Sequence, residues 1–142
     1  MKKLILLFVI GLIFSTPSVF AQTVVSTKAH KIVFQLTNND TLVHKAMVKQ
    51  INNALTAAPN AKIEVVCHNN GIEFLTAAKT KQAKGIAELK AKGVVFAACE
   101  NTLRERKIDK TEIVSEAIFV PAGILEVAMK QEKGYSYIKA SF

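Results

Sequence analysis

One stretch of the sequence indicates both the class of fold and the place of the candidate reactive group: Gly93-Val94-Val95-Phe96-Ala97-Ala98-Cys99-Glu100-Asn101-Thr102. An apolar run that opens on glycine and closes on polar, helix-starting residues predicts a buried parallel strand followed by a helix. Open α/β sheets place ligands and reactive groups at the carboxyl ends of their strands. Cys99 stands at that end, where the amino end of the next helix would favour its thiolate. The alternative is a thiol that only packs, as buried free cysteines often do.

Strand-like and helix-like segments alternate on both sides of this stretch. Further strands are predicted over residues 31–36, 63–67 and 117–120, with an edge-like strand over 135–139. Helices are predicted after a cap at Asp40, over residues 72–78, 80–92 and 102–106, and after Pro121. This alternation predicts a single three-layer α/β/α domain over residues 22–142, built on a mainly parallel five-stranded sheet.

The first 21 residues have the pattern of a secretory signal peptide. Met1-Lys2-Lys3 is basic, an eleven-residue apolar stretch follows, and Val19-Phe20-Ala21 suits a cleavage site. The apolar stretch is too short for a spanning helix, which needs about 20 residues. We therefore expect cleavage after Ala21 and a periplasmic or secreted protein, with no membrane contact after the signal is removed.

The charge of the mature chain is positive, with 17 Lys and Arg against 11 Asp and Glu once Lys2 and Lys3 are removed. The lysines are spread along helix faces without interleaved aromatic residues, so they indicate a solvated surface rather than a nucleic-acid partner. The glycines form no nucleotide-binding fingerprint, and we expect no cofactor.

Polar residues follow each predicted strand and should gather along one edge of the sheet. Cys99 is the candidate reactive thiol and His68 the candidate assisting base. The candidate binding residues are Asn38, Asn69, Asn101 and Thr102. Thiols and imidazoles also bind metals, but neither C-x-x-C nor H-x-x-H spacing is present, so no metal site is predicted. A Cys-His hydrolase would lack a third, orienting group.

Residues outside this edge are given structural roles. His44, on the first predicted helix, is expected to face solvent. Tyr135 and Tyr137 are expected to lie on the edge strand or at a subunit contact.

Three stretches carry a resemblance to the DsrE/DsrF-like family. They are residues 93–103, the segment Val120-Pro121-Ala122-Gly123-Ile124, and residues 131–139. The resemblance runs from about Lys31 to Lys139 and implies a compact flavodoxin-like or DsrE-like fold that forms a trimer or hexamer. It also implies sulfur relay, in which a cysteine after the third strand carries a persulfide between donor and acceptor proteins. That cysteine corresponds to Cys99, and the alternative is a non-catalytic binding or assembly module that uses the same pocket.

The chain also departs from the pattern of this family. Sulfur-relay members are cytoplasmic, whereas residues 1–21 predict export. Relatives of this branch tend to have a His-Gly pair after the second strand, where this chain has His68-Asn69-Asn70-Gly71 preceded by Cys67.

Whether Cys67 and Cys99 form a disulfide depends on the strand order. The order 2-1-3-4-5 would separate their strands by roughly 9–10 Å, beyond the Cα separation of about 7 Å that a disulfide tolerates. If the second and third strands are neighbours, a structural bridge or a thiol-disulfide exchange pair becomes plausible.

Overall fold

The computed structural model describes residues 25–141, so the expected signal peptide lies outside the described residues. The elements follow one another as expected for alternating strands and helices. In chain order they are β1 Lys31–Leu36, α1 Thr41–Ala57, β2 Lys62–Cys67, a 3₁₀ helix Asn69–Phe74, α2 Ala83–Ala91, β3 Val95–Cys99, α3 Glu100–Arg106, a 3₁₀ turn Lys110–Glu112, β4 Ala117–Val120, α4 Gly123–Glu132 and β5 Ser136–Lys139.

All five strands are parallel and lie in the order β4-β3-β2-β1-β5. Of the two arrangements left open by the sequence, the structure has the one in which β2 and β3 are neighbours. Cys67 pairs with Ala98, and Cys99 pairs with Val120 of β4. The carboxyl ends of β2, β3 and β4 therefore meet at one edge of the sheet.

The two faces of the sheet are covered unequally. We call them the α1/α2 face and the α4 face, after the helices that pack on them. The α1/α2 face holds the main hydrophobic core, in which Phe34, Val65 and Phe96 pack against helix residues such as Met47 and Leu89. On the α4 face a small cluster forms from Val33, Val66, Ala97, Val120 and Val127. The predicted three-layer α/β/α architecture is confirmed, with one thick and one thin outer layer.

Several local predictions agree with the structure. The bounds of β1 and β4 are those expected, and the Asp40 side chain caps α1 by accepting a hydrogen bond from the Leu42 N–H at 2.8 Å. Gly93 has a φ of 89° after α2, a left-handed conformation that glycine adopts at low cost. β5 pairs only with β1 among the described strands, which makes it an edge strand.

The connection after β2 differs from the prediction. Residues 69–74 form a 3₁₀ helix, so the expected loop at residues 68–71 is largely helical. The helix expected over residues 72–78 gives way to turns and an antiparallel bridge between Thr76 and Ile113. Helix α2 begins at Ala83 rather than near Thr80, because the Thr80 hydroxyl accepts the Gln82 N–H in the turn before it.

The expectation that His44 faces solvent is wrong. Its ring is 3 % exposed and packs edge-on against Phe74, with 5.1 Å between ring centroids. Its Nε2 lies 3.0 Å from the Asn38 carbonyl oxygen, so the imidazole is hydrogen-bonded as well as buried. The 3₁₀ helix brings Phe74 over this side of α1, a contact that the helical spacing of α1 alone does not reveal.

Within residues 25–141, no helix has both the length and the apolar composition that crossing a bilayer requires.

Candidate functional site

Cys99 ends β3 and immediately precedes α3. Strand alternation directs its side chain to the α4 face, where the Gly123 N–H donates a hydrogen bond to Sγ at 3.2 Å. The residue is 4 % exposed. Cys99 is therefore held between the end of its own strand and the first residue of α4.

The surroundings of Cys99 favour its thiolate. Burial raises the pKa of the thiol, but the Thr102 hydroxyl and the backbone N–H groups of Thr102, Gly123 and Asn101 lower it. The hydrogen bonds outweigh the burial, so the pKa lies below that of an ordinary cysteine. A lower pKa gives a larger fraction of the nucleophilic thiolate at neutral pH.

A pocket of about 230 Å³ opens beside this thiol. It is lined by His68, Asn69, Cys99, Asn101, Thr102, Glu105, Ala122, Gly123 and Ile124. Two larger surface cavities, of about 500 and 400 Å³, contain neither cysteine nor histidine. Of these three cavities among the described residues, the small pocket combines a thiol, an imidazole and amide side chains.

The structure brings together five of the six residues singled out from the sequence. Asn69, Asn101 and Thr102 line the pocket with Cys99 and His68, and the buried Thr102 hydroxyl accepts the Asn69 N–H at 3.1 Å.

Asn38 is not among the residues that line the pocket. Its Oδ1 accepts the Asp40 N–H at 3.2 Å, and its carbonyl oxygen lies beside the His44 ring. These contacts give Asn38 a local role in the turn before α1.

His68 lies on the same face of the sheet as Cys99. Its Nε2 is 2.8 Å from Nε2 of Gln35 on the neighbouring strand β1. Burial lowers the pKa of the imidazole and thereby favours its neutral form. The Gly123 backbone packs against its ring, since a Cβ at Gly123 would lie 3.2 Å from both Cγ and Cδ2 of His68.

Cys67 is separated from this site by the sheet itself. It is fully buried in the core of the α1/α2 face, and burial raises its pKa far above the usual range. Both cysteines are free. Although β2 and β3 are neighbours, the side chains of Cys67 and Cys99 point to opposite faces, which is incompatible with a disulfide in this conformation.

The same alternation separates Cys67 from His68, so the side chains of Cys67, His68 and Cys99 do not converge on a point where they could hold a metal ion together. In the part of the chain that the structure describes, no three His, Cys, Asp or Glu residues are grouped to hold a metal ion.

Glu105 is the charged residue that lines the pocket, and the other charged residues of α3 form contacts of their own. The Glu100 side chain, next to the thiol in sequence, forms an ion pair with Lys110. The Arg104 guanidinium donates to Oδ1 of Asn101, and Arg106 donates to Oδ1 of Asn70. These contacts hold the charged side chains of α3 against neighbouring residues.

Comparisons with known proteins agree with this geometry. The profile of the DsrE/DsrF-like family matches residues 30–140, which is most of the described chain. The protein belongs to the DsrE/DsrF-like family. A solved structure with this fold is that of MTH1491 from Methanobacterium thermoautotrophicum, a protein of unknown function. It is 25% identical, has a TM-score of 0.74, and is matched over 78% of this chain and 98% of its own. A comparison with curated proteins finds no match.

Two residues of this site in the DsrE-like fold make contacts that the local sequence pattern does not predict. Gly123 appeared only as part of a turn, yet its N–H contacts the thiol. Gln35 was included in β1, yet it is the hydrogen-bond partner of His68. A polar residue near the carboxyl end of an otherwise apolar strand is the signal that could have pointed to Gln35.

Proposed function

We propose that this protein relays sulfur, with Cys99 as the residue that carries a persulfide. The observation that carries the proposal is the Cys99 thiol itself, which lies in a pocket and receives the Gly123 N–H at 3.2 Å. Hydrogen bonds that lower its pKa increase the nucleophilic form. Membership of the DsrE/DsrF-like family supports this role.

The proposed reaction needs only sulfur compounds as reactants. The Cys99 thiolate attacks the outer sulfur of a donor persulfide, R–S–SH, and the donor S–S bond breaks with its electron pair leaving on the R–S⁻ thiolate. A new S–S bond on Cys99 then holds the transferred sulfur with its proton. An acceptor thiolate attacks that outer sulfur in the same way, and the Cys99 thiolate leaves. The two steps are formally balanced, and no separate oxidant is consumed.

Export is part of the proposal. Residues 1–21 have the pattern of a secretory signal, so we propose a periplasmic or secreted protein that begins at Gln22. The sulfur donor and acceptor would then be proteins or small persulfides of that compartment.

The test is to expose the purified, folded protein to a persulfide or polysulfide donor and to measure intact and peptide masses before and after cyanide treatment. We expect a cyanide-labile gain of one sulfur on Cys99 that Cys99→Ser abolishes. Cys67→Ala is the matched control, because this second thiol lies buried on the opposite face. The Cys67→Ala variant should take up sulfur on Cys99 as the wild type does. Export is tested separately: the intact mass of the wild-type protein recovered from cells should correspond to a chain that starts at Gln22.

A second candidate function is supported by the outer surface of α4. Ile124, Leu125 and Met129 are 63%, 55% and 36% exposed there, an apolar surface suited to a second copy of this chain. In that case the protein is an assembly module with an inert thiol. A folded trimer or hexamer by native mass spectrometry, with Cys99 unmodified until the protein is unfolded, would favour this candidate over sulfur relay.

A further inference from the structure

Three side chains form a hydrogen-bonded row along the α4 face of the sheet. The row begins at Tyr137 on the edge strand β5, continues through Gln35 on β1, and ends at His68 after β2. The Tyr137 hydroxyl donates to Oε1 of Gln35 at 2.5 Å, and Nε2 of Gln35 lies 2.8 Å from Nε2 of His68. Tyr137 is 41% exposed, whereas His68 is 6% exposed, so the row connects the solvent-facing edge with the candidate site.

The row determines which nitrogen of His68 carries the proton. An amide oxygen only accepts hydrogen bonds, and an amide nitrogen only donates them. With Oε1 of Gln35 held by the Tyr137 hydroxyl, its amide nitrogen faces His68 and must donate to Nε2. The neutral imidazole has one donor and one acceptor nitrogen. Nε2 is the acceptor, so the proton is on Nδ1.

Nδ1 is also the ring nitrogen that remains available to a ligand. It has no hydrogen-bond partner among the described residues. Within that part of the chain, Glu64 Oε1 alone is both unpartnered and sealed from solvent, so Nδ1 reaches solvent. His68 lines the pocket that contains Cys99.

We propose that Gln35 and Tyr137 are positioning residues that hold His68 as an Nδ1–H donor to a sulfur anion held in the pocket that it shares with Cys99, rather than as a base. This inference rests on the proposed sulfur relay and names a role within the same site. A persulfide transfers its outer sulfur when an incoming thiolate displaces Cys99, and the departing Cys99 sulfur gains negative charge in that step. A fixed N–H donor stabilises such a charge without having to reorganise.

Few charged groups face His68, so burial lowers its pKa while the row sets its tautomer. Cys99 on β3 and Glu105 on α3 are the titratable residues that share the pocket with it. The residues packed against it from β1 and α4, which are Gln35, Gly123 and Ile124, carry no charge.

The test is two-bond ¹H–¹⁵N correlation NMR of the full mature protein, followed over pH, which reports the tautomer and the pKa of His68. We expect a neutral, Nδ1-protonated ring in the wild type. Gln35→Glu replaces the amide donor by a carboxylate, which should move the proton to Nε2 and raise the His68 pKa. Tyr137→Phe frees the Gln35 amide to rotate, so a mixture of the two tautomers is expected. Tyr135→Phe is the matched control. The Tyr135 ring lies under the Lys31 and Lys130 ammonium groups and is not part of the row, so this variant should leave the His68 tautomer unchanged.

The result that would overturn the inference is a wild-type ring protonated on Nε2, or a Gln35→Glu ring whose tautomer and pKa do not move. This readout does not depend on sulfur loading. If the tautomers behave as expected while Cys99 never accepts sulfur, the proposed relay fails and the hydrogen-bonded row stands. If Cys99 loads but His68 is protonated on Nε2, the relay stands and the donor role fails.

Discussion

The two faces of the sheet differ in how they are stabilised and in what they carry. Twenty buried residues form one continuous cluster on the α1/α2 face, whereas five form the cluster beneath α4. The thiol, the imidazole and the row that begins at Tyr137 all lie on the α4 face. The candidate site therefore lies on the side with less apolar burial.

Polar groups are also buried on the α4 face. Glu64 is 2% exposed and forms an ion pair with Lys130 of α4, which also lies 3.4 Å from Glu126. Such a pair gains Coulombic energy but loses hydration, so it contributes less to stability than apolar packing of similar volume. We therefore expect the α1/α2 face to supply most of the free energy of unfolding, which leaves the α4 face free to hold polar groups.

The largest expected effect is the loss of stability when the core of the α1/α2 face is truncated, compared with a truncation beneath α4. Phe96→Ala on the α1/α2 face should lower the free energy of unfolding by about 3–5 kcal/mol, because Phe96 is fully buried. Val127→Ala on α4 removes two carbon atoms and should cost about 1.6 kcal/mol. Urea unfolding of both variants measures the difference. Equal losses would show that the thin layer is as important to stability as the thick one.

The second prediction concerns the buried carboxylate. Burial raises the pKa of Glu64 above its usual 4.5 despite the attraction of Lys130, so the folded protein holds this proton more tightly than the unfolded chain. The free energy of unfolding of the wild type should therefore fall as the pH rises from 4.5 to the raised pKa of Glu64, by about 1.4 kcal/mol per pH unit. Glu64→Gln lacks the titration, and its free energy of unfolding should rise relative to the wild type over the same pH range.

A second variant, Lys130→Met, removes the ion-pair partner of Glu64 and should change stability in the opposite direction to Glu64→Gln. It leaves the Glu64 charge buried without its partner and should cost about 3–5 kcal/mol once the carboxylate ionises. Urea unfolding at several pH values measures both variants. A constant difference between Glu64→Gln and the wild type across pH would contradict a raised pKa.

Much of this architecture could be predicted from the sequence because it depends on local pattern. The apolar run that ends at Cys99 predicted β3, Asp40 predicted the start of α1, and Gly93 predicted the end of α2. Positions that depend on contacts between distant segments could not be predicted in this way. His44 was misplaced because Phe74 reaches it from another element.

The candidate site shows the same limit. Parallel topology was enough to gather Cys99, His68, Asn69, Asn101 and Thr102 at one edge. The strand order, which decides whether Cys67 faces Cys99, has no signal in the local pattern of either strand. The contact between Gly123 and the thiol likewise depends on how α4 docks on the sheet.

The smallest expected effect compares two glycines, one for each face. A Cβ at Gly85 on α2 would lie 3.0 Å from a Val48 methyl group, and one at Gly123 would lie 3.0 Å from the His68 Cβ. The methyl group can rotate aside, so Gly85→Ala should gain up to about 1 kcal/mol from helix propensity. The His68 Cβ is fixed close to the backbone, so Gly123→Ala should instead lose about 1 kcal/mol of stability through overpacking.

Movement of α4 away from His68 would also weaken the hydrogen bond from the Gly123 N–H to Cys99. We therefore expect slower alkylation of Cys99 at neutral pH in Gly123→Ala and an unchanged rate in Gly85→Ala, with equal rates for both in denaturant. Equal rates in the folded proteins would mean that the Gly123 N–H does not control the thiol, and the lowered pKa would then depend on the N–H groups and hydroxyl of α3 alone.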